Sequence, residues 1–190
     1  MFGNWEYDDD PAALMSYDAI VDLFTNTVPD SNDKYLTADI ARYGGDKIVI
    51  RLWKGFLNYR TVTYQKQGID VTADNIRKLL ADEQIPYSHA AIDDDGVGGG
   101  VTDFLRGVKA FVNGASPLEP KGKKEDAPKE PYANLKTQCT YLFAEAVNAH
   151  RVAIRTEDTK ERELTIEDLK QMKSKDADKD GKRKIVPKTR

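Results

Sequence analysis

The chain has 190 residues, of which 39% are hydrophobic and 32% are charged, and its formal net charge is −3. This length and composition fit one globular domain with a buried core and a small appendage. The charge balance excludes nucleic-acid binding through overall positive charge, so any such surface must be a local patch. A single cysteine, Cys139, excludes an internal disulfide framework and fits a reducing compartment. No apolar run is long enough to span a membrane, and we expect no membrane partner.

The first 34 residues are predicted to form a lead-in segment rather than part of the core. An acidic run at residues 6–10 opens the segment, which is the opposite of a secretory signal. Apolar residues at helical spacing follow between Met15 and Phe24 and predict a short helix. A turn-forming cluster at 29–33 ends this segment.

Residues 35–67 carry the alternation of apolar and polar side chains that is typical of strands. Leu36, Ala38 and Ile40 would share one face of the first strand. Gly44-Gly45 predicts a hairpin turn to the second strand. The third run is rich in β-branched and aromatic residues. We therefore predict a meander of three strands.

Helices and short strands alternate in the rest of the chain. The spacing of apolar residues predicts, in order, a helix at 72–84 capped by Thr72, a strand at 89–93, a helix at 101–108, a strand at 109–112, an amphipathic helix at 135–147, an edge strand at 152–154, a helix at 165–173 capped by Thr165 and a short strand at 184–186. The proline-rich stretch 114–131 predicts a mobile loop, and 176–190 predicts a charged tail. Residues 35–175 would then form one domain.

This order of elements predicts the fold class. A hairpin-rich start followed by strand–helix crossovers is typical of an α/β protein whose mixed sheet has helices on both faces. The order is compatible with an RNase H-like sheet, in which the first strand is central and the fourth lies beside it. The strands that end at Asp39 and Asp93 would then be neighbours.

Asp39 and Asp93 are the most informative residues, because each ends an apolar, strand-like run. Aspartate is a poor strand former, so its presence there suggests that chemistry retains it. Two such strand ends side by side would offer hard oxygen ligands for Mg²⁺ or Mn²⁺. For Asp39, a solvent-facing residue that helps a turn explains the pattern equally well. For Asp93, the alternative is a polar loop with flexible glycines at 96–100.

Three further motifs fit their usual chemistry poorly. The glycines after Asp93 do not complete GxGxxG, because Val101 stands at the last glycine position, and the sequence contains no GxxxxGK[ST] phosphate loop. Residues 176–181 imitate the start of an EF-hand loop, but Pro187 occupies the position of the bidentate glutamate. His89 and His150 have no partner at zinc-ligand spacing, which favours structural or solvated roles.

Two stretches of the sequence resemble a known protein family. TADIARYGGDK, which contains Asp39, resembles the first nuclease motif of the large terminase subunit of tailed bacteriophages. AAIDDDGVGGGVTDFL, with Asp93 at the strand end, resembles the second motif. The opening GNWEYDDD is similar to the segment that joins the ATPase part of that subunit to its nuclease part. The resemblance covers nearly the whole chain and implies an isolated RNase H-like nuclease domain without the ATPase half.

The resemblance also implies an activity, which is metal-dependent cutting of concatemeric double-stranded DNA by two-metal phosphodiester hydrolysis with Mg²⁺ or Mn²⁺. Asp39 would bridge both ions, and Asp93 would hold one of them. The family uses a third acidic ligand in a late motif, and the late acidic cluster that ends at Asp180 could substitute for it. Four basic residues near the first hairpin could contact DNA phosphates or merely line a solvated strand edge: Arg42, Lys47, Arg51 and Lys54.

Partners and location follow from the same resemblance. The family implies the terminase ATPase domain, the small terminase subunit and the portal as partners, in the cytoplasm of a bacterial host. An alternative of a different class is a catalytically incomplete module that binds DNA or a partner within the packaging complex. In that case the third ligand is missing and the strand-end aspartates are vestigial.

Overall fold

The structure, a computed structural model, describes residues 10–40, 47–93, 100–119, 131–175 and 181–187. In chain order its elements are α1 (Tyr17–Asp22), β1 (Lys34–Asp39), β2 (Ile48–Lys54), β3 (Leu57–Tyr64), α2 (Ile69–Asp82), β4 (Ala90–Asp93), β5 (Lys109–Phe111), α3 (Leu135–Asn148), β6 (Ala153–Ile154), α4 (Thr159–Lys170), β7 (Ser174–Lys175) and β8 (Lys184–Ile185). Short 3₁₀ turns lie at Tyr87–His89 and Val101–Phe104.

The chain divides into two compact units. The first consists of Thr27–Asn113 and Ala153–Thr156, and it contains β1 to β6 together with α2. The second consists of the described residues of Met1–Asn26, Gly114–Val152 and Glu157–Arg190, and it contains α1, α3, α4, β7 and β8. The short strand β6 therefore belongs to the first unit, although the helices on either side of it in sequence belong to the second.

The six strands of the first unit form one mixed sheet with the order β5-β4-β1-β2-β3-β6. β1, β2 and β3 form an antiparallel meander, β4 and β5 run parallel to β1, and β6 runs parallel to β3. The predictions of a three-strand meander and of an α/β protein with a mixed sheet are confirmed. So is the prediction that the first strand is central and the fourth lies beside it.

The core of the first unit joins one face of the sheet to α2. Its buried aliphatic side chains come from alternate strand positions and from one stripe of the helix: Leu36, Ala38, Ile48, Ile50, Leu52, Ile76, Leu79, Leu80, Ala90 and Ile92. Each fully buried leucine or isoleucine stabilises the fold by ~1.5–3 kcal/mol, because its apolar surface leaves water. Alternation by two in the strands and the 3.6-residue period of the helix produce this common face.

The helix α2 begins at Ile69 and not near Thr72, as the sequence had predicted. Gly68 is the N-cap residue, and Thr72 lies in the first turn, where its hydroxyl donates to the Gly68 carbonyl oxygen at 2.8 Å. The predicted Thr72 cap is wrong because this buried threonine satisfies its hydroxyl on the preceding turn instead of accepting from a backbone N–H.

The helix predicted at 101–108 is also wrong, since only the 3₁₀ turn Val101–Phe104 forms. Val101 and Leu105 are buried, whereas Phe104 is exposed, so the apolar residues do not make a continuous helical stripe. Gly107 has a φ of +100°, a conformation that ends any right-handed helix. The chain turns there so that β5 can pair with β4.

Side chains cap three helices of the second unit. Ser16 caps α1, and Asn134 caps α3 by accepting from the Thr137 N–H at 2.9 Å. Asp158 caps α4 and accepts from two backbone N–H groups, at 2.9 and 3.3 Å. The predicted helix at 165–173 is therefore misplaced, because α4 begins before Thr165, which lies inside it and is not its cap.

The segment before α1 is tied to the chain that follows α4. Ala13 forms a β-bridge with Lys173, and the Lys173 ammonium lies 2.6 Å from an Asp10 carboxylate oxygen. Residues Ile20 and Leu23 are buried, so part of the predicted lead-in contributes to the core of the second unit. β7 and β8 pair antiparallel, which confirms the short strand predicted near 184–186.

The helix α3 confirms the amphipathic helix predicted around Cys139. Burial raises the pKa of the Cys139 thiol, as expected for a cysteine on the apolar side of a helix. The Gln138 side chain makes two hydrogen bonds to the Leu118 backbone, at 2.7 and 2.8 Å. The rest of the loop predicted to be mobile, 120–130, lies outside the described residues.

Within the described ranges, no helix combines the length and the apolar character needed to cross a membrane.

Candidate metal centre

The two predicted ligands, Asp39 and Asp93, stand at the ends of adjacent parallel strands. The register of β1 and β4 pairs Ala38 with Ile92, and each aspartate is the next residue. Neighbouring strands lie ~4.8 Å apart, and alternate residues point to opposite faces. Because Ala38 and Ile92 are buried, both carboxylates project from the other face of the sheet. The structure therefore brings these two residues side by side.

The chemistry of this pair fits a hard divalent cation. Asp39 is exposed and Asp93 is half-buried, so both carboxylates can be reached from solvent. Carboxylate oxygens are the ligands that Mg²⁺ and Mn²⁺ prefer. Among the described residues, however, no group of three or more histidine, cysteine, aspartate or glutamate side chains is placed to hold a metal. The described part of the centre thus consists of two carboxylates.

The other predicted site residues have mixed outcomes. Lys47 is exposed and directly precedes β2, which runs antiparallel to β1. It therefore lies near the C-terminal end of β1, where Asp39 stands. Its contact with DNA stays a prediction. Arg42 and Asp180 lie outside the described residues, as does most of the EF-hand-like stretch 176–181.

A hydrogen-bonded network beside the centre was not found by reading the sequence. Arg51 pairs with Thr37 in the β1–β2 ladder. Thr37 lies two residues before Asp39, so Thr37, Arg51 and Asp39 project from the same face of the sheet. Its Nη1 donates to Asn58 Oδ1 at 3.2 Å and to Thr61 Oγ1 at 3.3 Å. The sequence pattern offers Arg51 as a possible phosphate contact, but it gives no sign that Asn58 and Thr61 hold the Arg51 side chain.

The two histidines take structural positions. His89 Nδ1 lies 3.0 Å from the Lys34 carbonyl oxygen, and its ring stacks on Tyr35. His150 Nδ1 lies 2.7 Å from Asp22 Oδ2, and this hydrogen bond lowers the pKa of the Asp22 carboxyl. Neither histidine belongs to a group of three or more possible metal ligands within the described ranges.

Comparison with solved structures identifies the fold. The nuclease domain of the large terminase subunit gp2 of bacterial virus Sf6 superposes with a TM-score of 0.69 at 18% identity, covering 92% of this chain and 87% of that one. A mutant form of that domain with manganese and beta-thujaplicinol gives 0.73 at 17% identity, covering 92% and 87%. The large terminase nuclease of thermophilic phage G20c gives 0.56 at 13% identity, covering 92% and 88%.

This chain therefore has the RNase H-like α/β fold of phage terminase nuclease domains, and the resemblance inferred from its motifs is confirmed at the level of fold. The Sf6 domain has been solved with manganese and with calcium, and the G20c nuclease with cobalt and with magnesium. No protein-family model and no curated protein matches the sequence.

Proposed function

We propose that this chain is the metal-dependent endonuclease domain of a phage DNA-packaging terminase and that it cuts concatemeric double-stranded DNA. One observation carries the proposal. Asp39 and Asp93 stand side by side on adjacent parallel strands of a sheet whose fold is that of terminase nuclease domains. The manganese, cobalt and magnesium present in the similar structures support a divalent cation as the cofactor.

Asp39 and Asp93 would hold the cation, Mg²⁺ or Mn²⁺, and a complete site would hold two ions. A cation bound there supplies Lewis acidity toward a phosphate oxygen and lowers the pKa of a coordinated water. The role of the two aspartates is to concentrate negative charge at the adjacent C-terminal ends of β1 and β4. Lys47 and Arg42 would contact neighbouring phosphates and hold the DNA backbone in register.

A third acidic ligand would complete the site, and Asp180 is our candidate for it. Phosphate contacts carry no sequence information, so we expect cutting with little sequence preference. The expected partners are double-stranded DNA, the terminase ATPase domain, the small terminase subunit and the portal. The expected location is the cytoplasm of the bacterial host.

A second candidate function is a catalytically incomplete module that binds DNA or a packaging partner. It is favoured by the sequence, because no acidic residue follows Asp180 that could be the late third ligand implied by the family resemblance. Such a module would retain DNA without metal and would not cut it.

A plasmid-cutting assay separates the two functions. The full chain is incubated with supercoiled plasmid and Mn²⁺, beside the isosteric variant Asp39→Asn, a chelator control and the matched variant Asp82→Asn. Asp82 is an exposed aspartate at the end of α2 and belongs to no proposed site. We expect Asp39→Asn to slow nicking by ~100-fold or more, because a metal ligand supplies several kcal/mol of transition-state stabilisation.

The outcomes of this assay are distinct. Cutting that needs Mn²⁺ and Asp39, but not Asp82, supports the nuclease and places a third ligand within these 190 residues. Undiminished cutting by Asp39→Asn would contradict the proposed centre. Retention of DNA by a folded protein that does not cut would favour the incomplete module.

A further inference from the structure

The central strand β1 has one face that is open to solvent. Leu36 and Ala38 are buried on one side, whereas Tyr35, Thr37 and Asp39 on the other side are exposed. β1 pairs in parallel with β4, and parallel neighbours in α/β sheets are normally covered on both faces. We name the side of the sheet on which Tyr35, Thr37 and Asp39 lie the open face, because these central side chains are exposed to solvent there.

Three aromatic rings lie in one row on the open face. Tyr35 pairs directly with Trp53 in the β1–β2 ladder, so both side chains project from the same side. The His89 ring stacks on Tyr35, with centroids 4.7 Å apart and planes inclined by 19°. Tyr35 is 36% exposed, and Trp53 and His89 are half-buried. We name these three residues the aromatic row.

The aromatic row is held in place by the sheet. Trp53 Nε1 donates to Thr37 Oγ1 at 3.0 Å, which fixes the indole along the strand direction. His89 Nδ1 lies 3.0 Å from the Lys34 carbonyl oxygen. Tyr35 and His89 each cover one ring face of the other, so a planar ligand would stack on the remaining ring faces of the row, without a cost in side-chain ordering.

A second row, between the aromatic row and the aspartates, carries two cations. The strand registers place Lys109, Ala91, Thr37 and Arg51 in line across β5, β4, β1 and β2. Directly paired residues share a face, so Lys109 and Arg51 project from the side on which Asp39 stands. Lys109 is exposed, and the Arg51 guanidinium is held by the network described above. This cation row complements a negatively charged ligand.

We propose that the open face binds unpaired nucleotides of the DNA that flank the bond to be cut, with bases stacked on the aromatic row and phosphates on the cation row. The inference rests on the proposed function, which places the DNA at Asp39 and Asp93. Four residues along a strand span ~13 Å, so Tyr35 is within reach of a few nucleotides from that centre. Single-strand sites combine positive charge with aromatic rings on which successive bases stack. In a duplex the base faces are already stacked, so the row selects unpaired bases.

The test measures DNA binding by the full chain in the presence of a chelator, so that no cutting occurs. The probe is a fluorescent oligo(dT) of ~12 nucleotides, compared with a blunt duplex of the same length. We expect Tyr35→Leu to weaken oligo(dT) binding by ~10-fold, whereas Tyr35→Phe, which keeps the ring, binds like the wild type. Phe56→Leu is the matched control, because Phe56 is 55% exposed in the β2–β3 turn and lies outside the row.

A second measurement does not depend on altering the row. The chain has two tryptophans, so in the variant Trp5→Phe the fluorescence reports Trp53 alone. We expect oligo(dT) to quench this fluorescence and the blunt duplex to leave it unchanged. Equal oligo(dT) affinity of wild type and Tyr35→Leu, or no quenching of Trp53, would overturn the proposal.

The oligo(dT) measurements and the plasmid assay can fail independently of each other. Binding that depends on the Tyr35 ring, in a protein that does not cut plasmid, would overturn the nuclease and keep the single-strand site. Cutting that depends on Asp39, with no effect of Tyr35→Leu on oligo(dT) binding, would overturn the single-strand site and keep the nuclease.

Discussion

At the scale of single residues, Asn58 shows how a polar side chain organises the sheet. It is 0% exposed, and its amide nitrogen donates to the Leu52 and Arg60 carbonyl oxygens at 2.9 and 3.1 Å. These bonds lie at the irregularity in the β2–β3 register between Leu52 and Trp53. The amide oxygen accepts from Arg51 and Thr61. One buried asparagine thus satisfies a β-bulge and positions a cation near the candidate centre.

Replacing this amide tests the network. We expect Asn58→Leu to lower the free energy of unfolding by ~2–3 kcal/mol, because several buried polar groups lose their partner at once. Urea titration followed by circular dichroism measures the change. The control is Thr63→Ala, an exposed position of β3, which should change the unfolding free energy by less than ~0.5 kcal/mol. Equal effects of the two variants would contradict this role of Asn58.

Tyr59 gives the protein a pH dependence at high pH. Burial, and then a hydrogen bond to the Glu83 carboxylate at 2.9 Å, raises the pKa of Tyr59 to about 12. Because the phenol of an unfolded chain has a pKa of ~10, the folded state holds its proton more tightly. The resulting stabilisation is fully present below pH ~10 and is lost as the pH rises through the folded-state pKa.

We therefore expect Tyr59→Phe to flatten the loss of stability between pH ~10 and ~12. Absorbance titration of the folded protein near 295 nm should lose one late-ionising tyrosine in this variant. Glu83→Gln should lower the pKa of Tyr59, since the neutral side chain no longer holds the phenol proton by charge. If the alkaline titration of Tyr59→Phe matches that of the wild type minus an ordinary tyrosine, the raised pKa is refuted.

At the scale of elements, the start of α4 shows where sequence patterns choose the wrong residue. Thr165 and Glu167 look like a helix start, but the helix begins at Thr159 after Asp158. The Asp158 carboxylate accepts from the N–H groups of Lys160 and Glu161, which have no partner within the helix itself. The pattern alone does not separate the two starts, because both offer an oxygen acceptor before acidic residues.

Alanine substitution distinguishes the two caps. Asp158→Ala should lower the free energy of unfolding by ~1 kcal/mol, the usual effect of losing an N-cap acceptor. Thr165→Ala should have a smaller effect, because alanine is favoured inside a helix. Chemical denaturation of the two variants under the same conditions measures the difference. A larger effect at Thr165 would restore the start predicted from the sequence.

At the scale of the whole molecule, the candidate centre depends on pairing between distant parts of the chain. β1 and β4 are separated in sequence by β2, β3 and α2, yet they are neighbours in the sheet. Only this pairing places Asp39 beside Asp93. Binding of a cation to the pair would therefore favour the folded state over the unfolded chain.

Thermal unfolding tests this coupling without an activity assay. At Mn²⁺ concentrations ~100 times the dissociation constant, we expect a stabilisation of ~2.7 kcal/mol, or a rise in Tm of ~5–10 °C. The chelator should reverse the rise, and Asp93→Asn should abolish most of it. Asp103→Asn, an exposed aspartate in the 3₁₀ turn, is the matched control and should respond like the wild type. An equal rise in Tm for wild type and Asp93→Asn would place the metal elsewhere.

The sequence by itself determined the strands, their order and the two strand-end aspartates. Alternation of apolar residues and the turn signals are local, so β1, β2, β3 and the order of elements could be predicted from them. The poor strand propensity of aspartate singled out Asp39 and Asp93 for the same reason. The resemblance of their motifs to terminase nucleases then led to the fold that the structure has.

Only the tertiary structure decided the register between strands and therefore what lies beside each aspartate. The Arg51–Asn58 network depends on a β-bulge. The row formed by Tyr35, Trp53 and His89 depends on the pairing of β1 with β2 and on the stacking of His89, from the turn before β4, on Tyr35. Likewise, Asp158 sets the start of α4 through hydrogen bonds that several sequence patterns could provide, and the positive φ of Gly107 is incompatible with the helix predicted at 101–108. Register is selected by packing between residues far apart in sequence, and a single sequence does not contain that information in its local patterns.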